Sequence, residues 1–215
     1  RRSVGKLAYK KFAVSPGFQE GGSLFKPEQL AILGSIVGDD AKIELTTFKQ
    51  LYVEMQDDRI DTVQVQLKEA GLDIQPAGFY TKNLITCNFC RGADDAGLNV
   101  AVQLDQAIVG QEVPSPLKIG YAGCALGTSE PLLKDIAVVK MNDVYDIYVG
   151  GEAKGIKARL GQLYASGIPE DRIIPLVTRL IAIFQELGKK KEKFSRFVER
   201  LTIAELQHMT ACGNG

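Results

Sequence analysis

Thr86-Cys87-Asn88-Phe89-Cys90-Arg91 and, further on, Gly123-Cys124-Ala125-Leu126-Gly127 hold three of this chain's four cysteines. Each stretch follows a short apolar run that reads as a strand, Leu84-Ile85-Thr86 before the first and Leu117–Ala122 before the second. Between them a helix is expected from about Ala96 to Val109, and Pro114-Ser115-Pro116 breaks the chain. Two thiols in one loop, with a third brought back by the fold, make a soft, electron-rich ligand set. Iron–sulfur clusters and zinc take such ligands, so a metal or cluster site is the first reading.

Outward from this stretch the rest reads as scaffold. Toward the C-terminus, Ile136–Met141 and Val144–Val149 read as a hairpin about Asn142-Asp143 that ends at Gly150-Gly151. Helices are expected over Lys154–Ser166 and Glu170–Leu187, the second kinked at Pro175, and a last pair of helical segments from Lys193 to His208. Toward the N-terminus, residues 7–14 read as a strand that stops at Ser15-Pro16-Gly17, and a glycine-rich loop follows through Gly21 and Gly22. Pro27 suits a first helical position, and Leu30, Leu33, Ile36 and Val37 recur at helical spacing. Strands are expected at Lys42–Thr47 and Leu51–Gln56, then a helix from Asp58 to Ala70 closed by Gly71, then a short strand.

The order β-α-β-β-α-β is close to a ferredoxin-like or split βαβ arrangement. The expected fold class is therefore α/β (α+β). A ferredoxin-like half domain over residues 1–78 packs on a second α/β domain over 79–215 that carries the cysteines. The boundary falls near Gln75-Pro76-Ala77-Gly78.

Composition limits the function. With 26 basic and 26 acidic residues the formal net charge is zero, which argues against a dedicated nucleic-acid binder. No apolar run is long enough for a membrane helix. The start, Arg1-Arg2-Ser3-Val4-Gly5-Lys6, lacks the apolar core of a signal peptide, so a cytoplasmic location is expected and structural disulfides are not. The single histidine, His208, lies far from the cysteines in sequence, which disfavours any mechanism built on a central catalytic histidine.

Each candidate has a plainer reading beside the functional one. Cys124 could be a small buried hydrophobe, and Cys212 either a fourth thiolate from a folded-back tail or a tail thiol. Zinc held by all four cysteines and a thioredoxin-type redox pair at Cys87-x-x-Cys90 are the other cysteine readings. Lys49, Arg91 and Lys118 bind an anion or cofactor carboxylate, or form ordinary surface ion pairs. Gly150 and Gly151 admit a cofactor close to the backbone, or only turn the chain.

The same residues resemble a known family. Pro27-Glu28-Gln29-Leu30, Ile43–Gln50, Leu67–Leu72, Val113–Ile119 before Gly123-Cys124, and Tyr145–Gly151 stand in the order and spacing found in nitrite and sulfite reductases. The likeness runs from about residue 9 to residue 201. It implies a ferredoxin-like half domain preceding a domain with a 4Fe-4S cluster coupled to sirohaem. Cys87, Cys90 and Cys124 would be cluster ligands. Cys90-Arg91 matches the family's second cysteine, with Cys87 closer to it than the family pattern has it. Thr128 stands at the fourth cysteine position. Lys49, Arg91, Lys118, Gly150 and Gly151 would flank the cofactors, with Lys49 and Lys118 stabilising charge on the substrate.

By this resemblance the chain is a small oxidoreductase that reduces a small oxyanion with electrons from a donor protein or subunit. The alternative is a non-catalytic relative that holds a cluster or a tetrapyrrole as carrier, sensor or accessory subunit. Family enzymes often carry two copies of the module and this chain carries one, so pairing into a homodimer is a further expectation.

Overall fold

The computed structural model describes residues 8–156 and 158–211. Leu7 of the expected first strand, the opening Arg1–Lys6 segment and Cys212 lie outside the described residues. The chain divides into two compact units. One comprises the residues up to Gly17 with Ser23–Ala77, and the other Phe18–Gly22 with the chain from Gly78 onward.

The first unit runs β1 (Tyr9–Ser15), α1 (Pro27–Val37), β2 (Lys42–Leu45), β3 (Leu51–Gln56), α2 (Ile60–Glu69) and β4 (Asp73–Pro76). Its sheet has the order β2-β3-β1-β4, with every pair antiparallel. This is the ferredoxin-like arrangement. Pro27 opens α1, and Leu33 and Val37, four residues apart, bury one face of it. Ile60, Val63 and Leu67 do the same for α2. They close over Phe12, Val14, Val53 and Met55 of the two central strands. β2 lies at the sheet edge with all four residues exposed, and its Glu44 carboxylate accepts a hydrogen bond from Lys11 Nζ at 3.2 Å.

The second unit holds a five-stranded sheet, β5 (Ile85–Thr86), β6 (Ile119–Ala122), β7 (Ile136–Met141), β8 (Val144–Val149) and β9 (Gln162–Ile168), in sequential order. The first three strands are parallel, and β8 and β9 add antiparallel. The helices are α3 (Leu98–Ile108), α4 (Glu170–Leu187), α5 (Phe194–Leu201) and α6 (Ile203–Ala211). One face of the sheet, with Ile119, Tyr121, Val138, Tyr145 and Ile147, shares a core with Leu104 of α3, Ile173 to Phe184 of α4, Phe194 and Phe197 of α5 and Leu206 of α6. Among the described residues no helix is long and apolar enough to cross a membrane.

One element departs from expectation. The helix expected over Lys154–Ser166 is not formed; its C-terminal half is β9, paired with β8 at the sheet edge. Ile156, Leu160 and Leu163 mimic helical spacing, yet Gly155 and Gly161 each cost a helix about 1 kcal/mol. Pairing with β8 offers the backbone a ladder instead, and Tyr164 is buried while Leu163 beside it is half exposed, the alternation of a strand. α4, by contrast, runs unbroken from Glu170 to Leu187 through Pro175.

Candidate functional site

The cysteines gather at the carboxyl ends of β5 and β6. These strands are parallel neighbours, with Thr86 opposite Tyr121, so the residues that follow them, Cys87 and Gly123-Cys124, leave the sheet side by side. Cys87 N–H donates to the Tyr121 carbonyl at 3.1 Å, and Gly123 N–H points at Cys87 Sγ at 3.3 Å. Cys87 is buried, Cys124 half-buried and Cys90 exposed. Phe89, between the first two, has φ of 50°. That left-handed backbone swings the chain into the turn closed by Gly92 N–H on the Phe89 carbonyl.

The second cysteine loop folds back over the end of β6. Gly127 N–H bonds the Cys124 carbonyl at 3.2 Å, and buried Ser129 Oγ donates to the Tyr121 carbonyl at 2.8 Å. Thr128, at the expected fourth position, is exposed, as is Arg91.

Two features that hold this site carried no chemical signal in the sequence. The first is the Phe18–Gly22 loop, which reads only as a glycine-rich connection. Phe18 stacks on Phe89 with centroids 6.0 Å apart, and Gly21 N–H bonds the Asn88 carbonyl at 3.0 Å. At Gly22, φ is 97°, a left-handed conformation that favours glycine, and an added Cβ would lie 2.5 Å from Asn88 Oδ1.

The second is Tyr121. Phe89 stacks on its ring at 6.0 Å, and its hydroxyl lies 2.9 Å from the Ala96 carbonyl and 3.0 Å from that of Gly97, where α3 begins. The cysteine loop is thus tied to the helix that follows it. Burial first, and Tyr145 and Cys87 after it, push the Tyr121 hydroxyl above its ordinary titration range, so it remains protonated.

A polar group stands at the opposite end of the same strands. Lys118 precedes β6, Asp135 precedes β7, and Gly150-Gly151 follow β8. The Asp135 carboxylate accepts the Lys118 N–H at 2.8 Å, and Gly150 N–H bonds the Asp135 carbonyl at 2.8 Å. At Gly151 an added Cβ would meet the carbonyls of Leu132 and Lys134 at 2.4 Å, so the chain's own backbone fills that space. Six residues of extended chain separate Lys118 from Cys124, a span of up to about 20 Å. Lys118, Gly150 and Gly151 therefore form one cluster, and Cys87, Cys90, Arg91, Cys124 and Thr128 another. Lys49 belongs to the first unit, exposed in the turn between β2 and β3 with φ of 58°. His208 is exposed on α6.

Burial lowers the pKa of Lys118 despite the opposing pull of Asp135, and it raises that of Asp135 to about 7. An acid whose folded pKa is raised stabilises the fold fully below its unfolded value near 3.8 and loses that contribution as pH climbs through about 7. Asp135→Asn keeps an acceptor for the Lys118 N–H and cannot ionise. Between pH 4 and pH 8 the parent chain should therefore lose on the order of 2 kcal/mol relative to the variant, allowing for partial exposure, when both are unfolded in urea. Parallel pH curves would refute this.

Three thiols suit an iron–sulfur cluster, whose ligands are thiolates. Among the described residues no three His, Cys, Asp or Glu side chains are grouped closely enough for one metal ion. A cluster is several ångströms across and takes thiolates set further apart. Two of the three thiols leave adjacent strand ends, and an N–H donor already faces Cys87 Sγ, as suits a thiolate ligand.

Residues 90–210 match the family model described as the nitrite and sulphite reductase 4Fe-4S domain. Over 191 residues the chain is 29% identical to the cobalt-factor III methyltransferase of Priestia megaterium, a match covering 88% of this chain and 34% of that protein. The chain thus spans about a third of that relative's length. Over 167 residues it is 23% identical to the assimilatory-type sulfite reductase of Nitratidesulfovibrio vulgaris, covering 77% of this chain and 76% of that one. Among solved structures, dissimilatory sulfite reductase I superposes with a TM-score of 0.74 at 12% identity, over 94% of this chain and 69% of that one. The NirA protein of Mycobacterium tuberculosis gives 0.73 at 14%, over 95% and 40%. At these identities the two structures share the fold.

Proposed function

The chain belongs to the nitrite and sulphite reductase 4Fe-4S domain family, and on that premise we propose that it is a redox module whose Cys87, Cys90 and Cys124 hold an iron–sulfur cluster. When bound, such a cluster supplies one-electron storage at a potential set by its ligands, hydrogen bonds and exposure. The protein's part is to orient the thiolates. Gly123 N–H faces Cys87 Sγ, the Phe18–Gly22 loop covers the Cys87–Cys90 turn, and the Tyr121 hydroxyl fixes the start of α3 behind it.

The observation that carries the carrier or accessory reading is Thr128. The residue is exposed, and a threonine hydroxyl stays protonated at neutral pH and is a poor iron ligand. Lys118, which the reductase reading would use on substrate, sits at the other end of β6 from Cys124. The chain therefore transfers electrons to a partner rather than reducing an oxyanion at a sirohaem of its own. An electron-donor protein, a cytoplasmic setting and pairing of two copies belong to the same proposal.

A second reading is favoured by the match to a cobalt-factor III methyltransferase over 88% of this chain. In that reading the module serves chemistry on cobalt-factor III, as a redox or binding partner.

Anaerobic purification with iron and acid-labile sulfide analysis tests the proposal. The expected result is about four iron and about four sulfide per chain with a broad brown absorption. Cys90→Ser should drop iron well below one per chain while leaving the fold intact, because the side chain is exposed. Iron retained in Cys90→Ser would refute the ligand assignment. Haem bands in the parent protein would restore the reductase reading.

A further inference from the structure

The outer side of α4 carries a cavity of about 460 Å³ beside the end of α6, away from Cys87, Cys90 and Cys124 in sequence and on different elements. That volume lies within the range of roughly 300–1,000 Å³ typical of small-molecule sites. Its wall is mostly apolar, from Ile168, Pro169 and Leu176. Two arginines, Arg172 and Arg179, also line it. They are seven residues apart on one helix, hence two turns apart on the same face.

The charges there are unbalanced. No Asp or Glu is among the described residues that line the cavity. Neither arginine makes an ion pair among the described residues, although Arg59, Arg159, Arg196 and Arg200 all do. Arg179 Nε is shielded from solvent and has no hydrogen-bond acceptor among the described residues. Among the described residues the guanidinium's one bond is a long contact of 3.5 Å from a terminal nitrogen to the Met209 carbonyl. A buried N–H without an acceptor is costly, so such groups are nearly always satisfied by protein, water or ligand. The Thr210 hydroxyl is already committed, donating to the Gln207 carbonyl and paired with Tyr164.

We propose that this cavity binds an organic anion, a carboxylate carried on a compact apolar body, with the carboxylate on Arg179 and Arg172 and the body against Ile168 and Leu176. The guanidinium fork matches a carboxylate in two parallel bonds. Such a ligand also covers the apolar wall, which a free phosphate would leave wet.

The test uses the full chain and four probes: benzoate, benzyl alcohol, acetate and inorganic phosphate. Binding is followed by amide chemical shifts at Ile168, Leu176 and Ala211. Benzoate should saturate and bind at least tenfold more tightly than benzyl alcohol, which lacks the charge, and than acetate, which lacks the body. Arg179→Met should weaken benzoate about tenfold, the loss of one charge-assisted pair, and leave benzyl alcohol unchanged. Arg172→Met, at an exposed position, provides the same readout should Arg179→Met fold poorly. Benzoate no tighter than benzyl alcohol would overturn the proposal, as would phosphate as tight as benzoate, or parental affinity in both variants.

Discussion

Gly123→Ala should destabilise the folded chain by about 3 kcal/mol and strip most of its iron. A Cβ added at Gly123 would lie 2.6 Å from the Ala96 Cβ, 2.7 Å from the Ala96 carbonyl oxygen and 3.0 Å from its Cα. Those are backbone and near-backbone atoms, so no flexible side chain can give way. Relief requires either β6 or the start of α3 to move, and both are fixed: β6 is fully buried, and Tyr121 bonds the carbonyls of Ala96 and Gly97. The same residue donates its N–H to Cys87 Sγ and precedes Cys124. A shift that makes room for the methyl group therefore separates two of the three proposed ligands. Guanidinium unfolding of the metal-free protein isolates the packing cost, and iron analysis of the anaerobic protein reads the second effect. A variant within about 0.5 kcal/mol of the parent would show that α3 and β6 are not locked together here.

This coupling explains how much of the molecule the sequence disclosed. The hairpin of β7 and β8 and the helix α4 are legible because their apolar spacing and bounding turns are local. The ferredoxin-like unit is legible for the same reason: Pro27 at a helix start, Gly71 after one, and strands of the right period between them. The Gln162–Ile168 strand was not, because what makes it a strand is the edge of β8, a partner that spacing within the segment does not reveal.

The candidate site divides in the same way. Cysteine spacing announces Cys87, Cys90 and Cys124. Nothing local announces that Phe18 stacks on Phe89, or that Gly151 is glycine because the carbonyls of Leu132 and Lys134 occupy the space a Cβ would take. Nor does local sequence say that Lys118 and Cys124, close in number, stand at opposite ends of one strand.

Lys82 is the polar residue least expected from its surroundings, and replacing it should stabilise the protein. It is 0% exposed, at the entry to β5, where its N–H donates to the Leu117 carbonyl at 3.2 Å and its ammonium to the Gly78 carbonyl at 3.0 Å. Burial lowers its pKa from 10.5 to about 8. A lysine whose folded pKa is lowered costs nothing above its unfolded value. As pH falls toward and through about 8, the unfolded chain takes up the proton more readily than the folded one, and stability drops. Near pH 7 the penalty is on the order of 3 kcal/mol, from which the bond to Gly78 recovers about 1 kcal/mol. Lys82→Met preserves the length and apolar stem of the side chain and removes the charge. It should be about 2 kcal/mol more stable than the parent in urea at pH 7, with the order reversed above about pH 10.5, where the burial penalty is gone and the parent keeps its bond to Gly78. A variant less stable than the parent at pH 7 would mean that the ammonium contributes more through its contacts than burial costs it. Greater stability with unchanged iron content would set Lys82 apart from folding and from the cysteine site alike.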